Sequence, residues 1–311
     1  KGVSGLVWMK NRDATDSHQL YDSSRGKHKD LQSDATNTES TTTDGLQKFL
    51  KGGQAIEDDV SINTSGESYV SWNWVGNLGT TSTNDASSTG VGTIDSTYQV
   101  NSTAGFSIVQ YTGTGSNGTV KHGLSSAPEW MIIKNTSHTN SWITSHVGLT
   151  SQATRSLTMN NTNGEYTDAG TYFWNSTAPT SSVFSLATDT GVNGSSRNYV
   201  AYCWHAVDGF SKFGKYTGNG NADGPFIYLG FKPAVFIVKN RQTSSQWTIL
   251  DNQRNKFNPV GQTIRLNATN VEYDGLSSTY GTGGDFLSNG FKVRGGNYTD
   301  GNASGEVYVY M

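Results

Sequence analysis

The chain has 311 residues, of which 15% are charged and 33% hydrophobic, with a net charge of −3, so it carries neither the basic footprint of a nucleic-acid binder nor the charge density of a solvated disordered chain. Its polarity comes from Ser, Thr, Asn and 37 Gly beside 11% aromatics, a mix that fits short strands joined by polar turns and predicts an all-β protein. No apolar run approaches the roughly 20 residues that span a bilayer, so membrane insertion is not expected, and the single cysteine, Cys203, leaves no internal disulfide.

In chain order, Val7-Trp8-Met9-Lys10-Asn11 reads as a strand that stops at a Lys-Asn pair, and Gln19 to Asp22 as the next strand. Residues 32–44 are polar enough to predict an exposed loop, and residues 45–50 have the pattern of one or two helical turns. Tyr69-Val70-Ser71-Trp72-Asn73-Trp74 alternates as a strand. The Gly/Ser/Thr tract over 76–101 predicts a linker, or a long loop lying on a neighbouring subunit.

The opening pattern then recurs. Trp130-Met131-Ile132-Ile133-Lys134-Asn135 and Val235-Phe236-Ile237-Val238-Lys239-Asn240 repeat the Lys-Asn strand, and twelve residues after each lysine stands Asp22, His146 or Asp251. A second landmark, Asn-x-Ser beginning at Asn63, Asn193 or Asn302, precedes Tyr69, Tyr199 or Tyr308 by six residues each time. Two landmarks at fixed offsets predict three tandem related antiparallel β-sandwich units of jelly-roll type over 1–100, 101–208 and 209–311. The second and third open with Gly105-Phe106-Ser107 and Gly209-Phe210-Ser211, followed by Tyr111-Thr112-Gly113 and Tyr216-Thr217-Gly218. The first lacks that opening strand, so the sequence reads as part of a longer polypeptide, and its last residues read the same way.

The lysines Lys10, Lys134 and Lys239 read as residues whose stems pack at a strand end while their heads stay in water. Asp22-x-x-Arg25 and Asp251-x-x-Arg254 read as ion pairs that fix a turn, with His146 replacing the pair in the middle copy. The Asn-x-Ser sites match a glycosylation signal but read better as turns whose Asn side chain bonds the backbone. Six scattered histidines lack metal spacing, and neither a metal nor a cofactor is expected. Asp208, Asp223, Asp251, Glu272, Asp274 and Asp285 are the carboxylates from which a glycosidase pair would have to come; no catalytic residue is assigned, and an enzyme is not expected. Trp74, Tyr98, Trp174, Tyr273, Tyr280 and Tyr298 lie in or beside polar loops and are the candidates for stacking on sugar rings.

The third segment, through Gly209-Phe210-Ser211-Lys212-Phe213-Gly214-Lys215-Tyr216-Thr217-Gly218, Gly230-Phe231-Lys232-Pro233-Ala234, Ser288-Asn289-Gly290-Phe291-Lys292 and Asn302-Ala303-Ser304-Gly305, resembles a domain of uncharacterised function common in virion proteins of tailed phages, often marine ones. The second, through Ser126-Ala127-Pro128-Glu129-Trp130 and Tyr199-Val200-Ala201-Tyr202-Cys203-Trp204-His205, and the first, through Val7 to Arg12 and Leu20 to Gly26, are similar to the segments that precede it there. The resemblance implies a structural protein on the virion surface, a tail fibre or similar appendage. As such it would be a homo-oligomer, a trimer favoured, contacting other virion proteins and host-surface glycan. The alternatives are a capsid decoration protein and, further off, a polysaccharide depolymerase.

Overall fold

A computed structural model describes residues 5–76, 80–167, 172–277 and 281–311. They fold almost entirely as antiparallel sheets, with only two four-residue helices, Val60–Asn63 and Ala86–Thr89.

Three large sheets form around the Lys-Asn strands. In the first, Gly5–Asn11 lies between Gln19–Asp22 and Tyr69–Val75. In the second, Trp130–Asn135 lies between Ile143–His146 and Asn198–Trp204. In the third, Val235–Asn240 lies between Trp247–Asp251 and Val307–Tyr310. The registers agree: Leu6 faces Asp22, Trp130 faces His146 and Val235 faces Asp251. The twelve-residue spacing is therefore a hairpin register, which places the residue four before each lysine opposite the residue twelve after it. On the other side Asn11 faces Tyr69, Asn135 faces Tyr199 and Asn240 faces Tyr308, which is why the two landmarks occur together.

Alternation along these strands sends successive side chains to opposite faces. Trp8, Trp130, Ile132, Tyr202, Trp204, Ile237, Trp247 and Val309 point into one central core built from all three sheets. Val7 and Met9, Met131 and Ile133, and Phe236 and Val238 point the other way, into three separate outer cores. Each outer core is closed by a smaller sheet: Leu46–Leu50 with Gly53–Ile56, Gly118–Lys121 with Val183–Leu186, and Asp223–Tyr228 with Gly290–Arg294 and Gly283–Leu287. The layering is that of sandwiches with unequal sheets, rather than the balanced pair of a jelly roll. Burial on both faces accounts for the unbroken apolar runs before Lys-Asn, where a half-buried strand would alternate.

Two expectations change here. Residues 45–50 belong to a strand of a hairpin, because Leu46 is drawn into the first outer core while Leu50 stays exposed. The described part of the 76–101 tract is not a linker: Ser82–Asn84 and Ser96–Asn101 extend the second sheet beyond Phe106–Thr112. Sheet pairing there overrides the turn preference of Gly, Ser and Asn, and the threonines and Tyr98 favour a strand.

Candidate functional site

The Lys-Asn landmark is a buried anchor. Lys10, Lys134 and Lys239 are fully enclosed, so their ammonium groups are not in water as the sequence suggests. Each Nζ donates to the carbonyl of the following Asn, at 2.6, 2.9 and 2.8 Å. The rest of the shell comes from loops: Ala14 O for Lys10, Thr36 O and Asn140 O for Lys134, Thr162 O and Ser245 Oγ for Lys239. With carbonyls as the main partners, burial favours the neutral amine and lowers the Lys134 pKa to about 8 and that of Lys239 to about 7. Lys10 is lowered too, against the pull of Asp16 and Asp34.

Each partner Asn forms the same turn. Its Oδ1 accepts backbone N–H bonds from the second and third residues onward, Asp13 and Ala14, Ser137 and His138, Gln242 and Thr243. Asn11 and Asn135 also donate to the hydroxyls of Tyr69 and Tyr199. The hydroxyls of Tyr69, Tyr199 and Tyr308 accept the N–H of the middle residue of the second landmark: Thr64 to Tyr69, Gly194 to Tyr199, Ala303 to Tyr308. Asn193 and Asn302 are buried, which closes both to glycosylation, whereas Asn63 is exposed. The side chains of Asn193 and Asn302 instead tie the Tyr-Thr-Gly-x-Gly loops to a second segment, Asn193 through Thr114 N and Ser116 O to Ala187 O, and Asn302 through Asn219 N and Asn221 O to Gly295 O. Those loops need both glycines. A Cβ on Gly113 or Gly218 would sit 2.4 or 2.3 Å from a carbonyl oxygen, and Gly115 and Gly220 have φ of 73° and 68°. Asn302→Ala is expected to cost about 2 kcal/mol, because it removes three hydrogen bonds between a buried side chain and part-buried backbone groups; the urea midpoint measures it.

The Asp-x-x-Arg turns are buried ion pairs. Arg25 Nε meets Asp22 Oδ2 at 2.5 Å and Arg254 Nε meets Asp251 Oδ2 at 2.6 Å. Glu39 and Glu272 complete them, and Glu272 also holds Arg12. Three backbone bonds link the sheets through these glutamates and their counterpart Glu165: Glu39 N to Thr136 O, Glu165 N to Arg241 O, and Glu272 N to Arg12 O. The hairpin ends reach across in the same order. Tyr202 OH donates to Asp22, His146 Nε2 donates to Tyr310 O, and Trp72 Nε1 donates to Asp251. Glu39 and Glu165 escape the sequence reading, and Glu272 enters it only as a candidate carboxylate, because their offset from the lysine drifts through 29, 31 and 33 residues.

Among the glycosidase candidates, Asp251 and Glu272 are held by Arg254, while Asp223 and Asp285 share Arg294. Asp208 and Asp274 lie exposed. Among the described residues, no group of three or more His, Cys, Asp or Glu is placed to hold a metal, and no helix is long and apolar enough to cross a membrane.

The sugar-stacking candidates scatter. Trp174 is buried, its indole N–H bonded to Arg155 O and Ser156 Oγ, so its faces are not available to a sugar. Tyr98 is half-buried under Lys121, Tyr273 under Arg265, and Tyr298 is half-buried with its carbonyl accepting from Tyr308. Tyr280 lies outside the described residues. Trp74 lines a substantial opening, a cleft of about 430 Å³. One wall is Val70 to Trp74 on the outermost strand of the first sheet; the other runs from Leu229 to Phe236 with Phe210 and Met311. Trp74 packs edge-on to Trp204 at 5.9 Å and tilted to Trp8 at 6.4 Å, so the cleft opens beside the central core.

The geometry defines an all-β protein of sandwiched antiparallel sheets whose buried charges hold turns and in which a sizeable apolar opening follows a sheet edge. Residues 3–311 match the family described as Domain of unknown function (DUF7483), and the chain belongs to it. A single family pattern thus spans all three recurrences. No curated protein and no solved structure matches the chain.

Proposed function

We propose that the chain is three related β-sandwich units closed head to tail into a ring, and that it is a non-enzymatic structural part of a tailed-phage virion, in a tail fibre or similar surface appendage. The observation that carries the ring is the run of bonds from Glu39 to Thr136, Glu165 to Arg241 and Glu272 to Arg12, by which each copy holds the next and the third holds the first. On this reading the threefold arrangement expected of three subunits is supplied within one chain. Four of the six candidate carboxylates are neutralised by arginine and the histidines His18, His122 and His146 are spent on structural bonds, which favours architecture over catalysis. The virion assignment rests on the resemblance of the motifs at 209–218, 230–234 and 288–292. A weakly charged surface suits an extracellular part, and host glycan would meet exposed rims rather than a built pocket.

Gold-conjugated antibodies against the purified chain, viewed on intact particles by electron microscopy, test this. Labels at the tail or its fibres are expected; labels over the capsid lattice would move the chain to the capsid decoration class. Release of reducing sugar from host polysaccharide, abolished by a single carboxylate substitution, would refute the non-enzymatic reading.

A further inference from the structure

We propose that the solvent face of the sheet formed by Asp223–Tyr228, Gly290–Arg294 and Gly283–Leu287 binds an uncharged saccharide chain, whose sugar rings stack on Phe226 and Tyr228 and whose hydroxyls bond the charged row beside them. Such a site gives the glycan contact proposed above a place on the molecule and rests on that reading.

Alternation along the first of these strands sends Ile227 into the third outer core and leaves its two neighbours outside. Phe226 is 46% exposed and Tyr228 62%, and two positions apart on one strand they stand about 6.7 Å from each other. The fold requires neither ring. In the second copy the covering strand Gly118–Lys121 sends Val120 into its core as Ile227 enters the third, and flanks it with Thr119 and Lys121. The same layering therefore forms with polar residues at both positions. What holds the two rings also leaves a face of each open. Phe226 stands opposite Lys292 and leans over Gly290, where a Cβ would come within 2.9 Å of its ring; backbone supports the ring from below and solvent meets it from above. The Lys212 ammonium lies over the Tyr228 ring, 5.4 Å from its centre, and bonds the Tyr228 carbonyl at 3.2 Å, so that ring too is fixed from one side.

The polar row decides the chemistry of the ligand. Lys292 and Arg294 both reach Asp223, at 3.0 and 2.9 Å, and Arg294 also holds Asp285 at 2.8 Å. Two anions and two cations cancel, and Lys212 is committed to Tyr228, so the row offers hydrogen bonds without a net field to attract an ionic ligand. An apolar protein surface laid on the same face would strip water from all four charges and return no hydrogen bonds, which is costly. Sugar hydroxyls donate to the carboxylates and accept from the ammonium and guanidinium, while the C–H face of the sugar covers the aromatic rings. The row is open to such contacts, since the Asp223 side chain is 74% exposed and that of Arg294 37%. Asp223 and Asp285, which an arginine denies to catalysis, thus acquire a binding role.

Native gels cast with dextran, galactomannan or mannan, all uncharged, test this on the whole 311-residue chain. Retardation by at least one of the three is expected. The double variant Phe226→Thr with Tyr228→Lys imports the residues of the second copy, so its melting temperature should match the parent's while its binding falls at least about tenfold. Phe226→Ala and Tyr228→Ala, made singly, take its place if the double variant does not fold. Tyr172→Ala, which removes a 53% exposed ring from the second copy, should leave binding unchanged. The proposal is overturned if none of the three polymers retards the chain, or if dextran sulfate retards it as strongly as the best of them. It is also overturned if the variants of Phe226 and Tyr228 bind as tightly as the parent, or if Tyr172→Ala weakens binding as much as they do. Absence of saccharide binding with gold labels on the tail removes this face and leaves the appendage standing; labels on the capsid with binding intact do the reverse.

Discussion

Acidification from pH 6.5 to 4 is expected to strip the chain of several kcal/mol of stability, through three histidines held neutral in the fold. His18, His122 and His146 are buried and share one bonding pattern. Nε2 donates to a carbonyl, Arg265 O, Thr180 O or Tyr310 O, while Nδ1 accepts an N–H from the Trp8 indole, Leu124 or Gly148. A proton on Nδ1 would meet another donor in a buried site, so burial lowers the pKa to about 4 for His18 and His122 and to about 3 for His146. In the unfolded chain each titrates near the ordinary value of about 6.5. Between those values the unfolded state binds more protons, so stability falls as pH falls, by about 1.4 kcal/mol per pH unit per histidine. Three together give about 4 kcal/mol per pH unit, on a total stability of about 5–15 kcal/mol for an ordinary domain. Lys239 and Lys134 act in the same direction at higher pH: their depressed values, about 7 and 8, make stability keep rising until the unfolded lysines deprotonate at about 10.4. Urea midpoints taken from pH 4 to 10 measure both slopes. His122→Gln and His146→Gln should each flatten the acid limb, and Lys239→Met the alkaline one; a midpoint that stays level across the range would refute the account.

What the sequence made legible follows from what a register fixes. A hairpin locks the residue four before Lys10 to the residue twelve after it, so that spacing survives in every copy. The Asn-x-Ser landmark survives because its next residue must reach the hydroxyl of Tyr69, Tyr199 or Tyr308. Contacts made between copies leave no such fixed offset. The loops that carry Thr36 and Thr162 stand 98 and 77 residues before the lysines Lys134 and Lys239 that they cover, and nothing near either lysine in sequence announces them; hence the expectation of wet ammonium groups. Trp174 fails for a related reason. Its neighbours, Asn175, Ser176 and Thr177, read as a surface loop, but the indole turns in to Ser156. Of the candidate site, Trp74 was legible as an aromatic beside a polar tract, but the wall that faces it, from Leu229 to Phe236, lies far along the chain and leaves no local signal.

Arg25→Met is expected to cost about 3–5 kcal/mol, the range for removing one partner of a buried ion pair. Asp22 is fully buried and the Arg25 side chain only 1% exposed. The carboxylate would keep Tyr202 OH and the N–H groups of Ser24 and Arg25 but lose its countercharge, and Leu20 O and Glu39 would each lose a donor. The damage should spread between copies, because Asp22 takes its Tyr202 bond from the second sheet. Removing the charge as well separates the effects. In Asp22→Asn with Arg25→Met the uncompensated anion is gone, so the double variant should recover at least about 2 kcal/mol over Arg25→Met alone. The middle copy shows that such a turn can work without an ion pair: His146 accepts from Gly148 N, and Arg241 donates to Gly148 O at 2.9 Å. Urea unfolding of the four proteins of this cycle at pH 7 decides the matter. A loss below about 1 kcal/mol for Arg25→Met, the range of an exposed pair, would mean that the guanidinium is not what holds this turn.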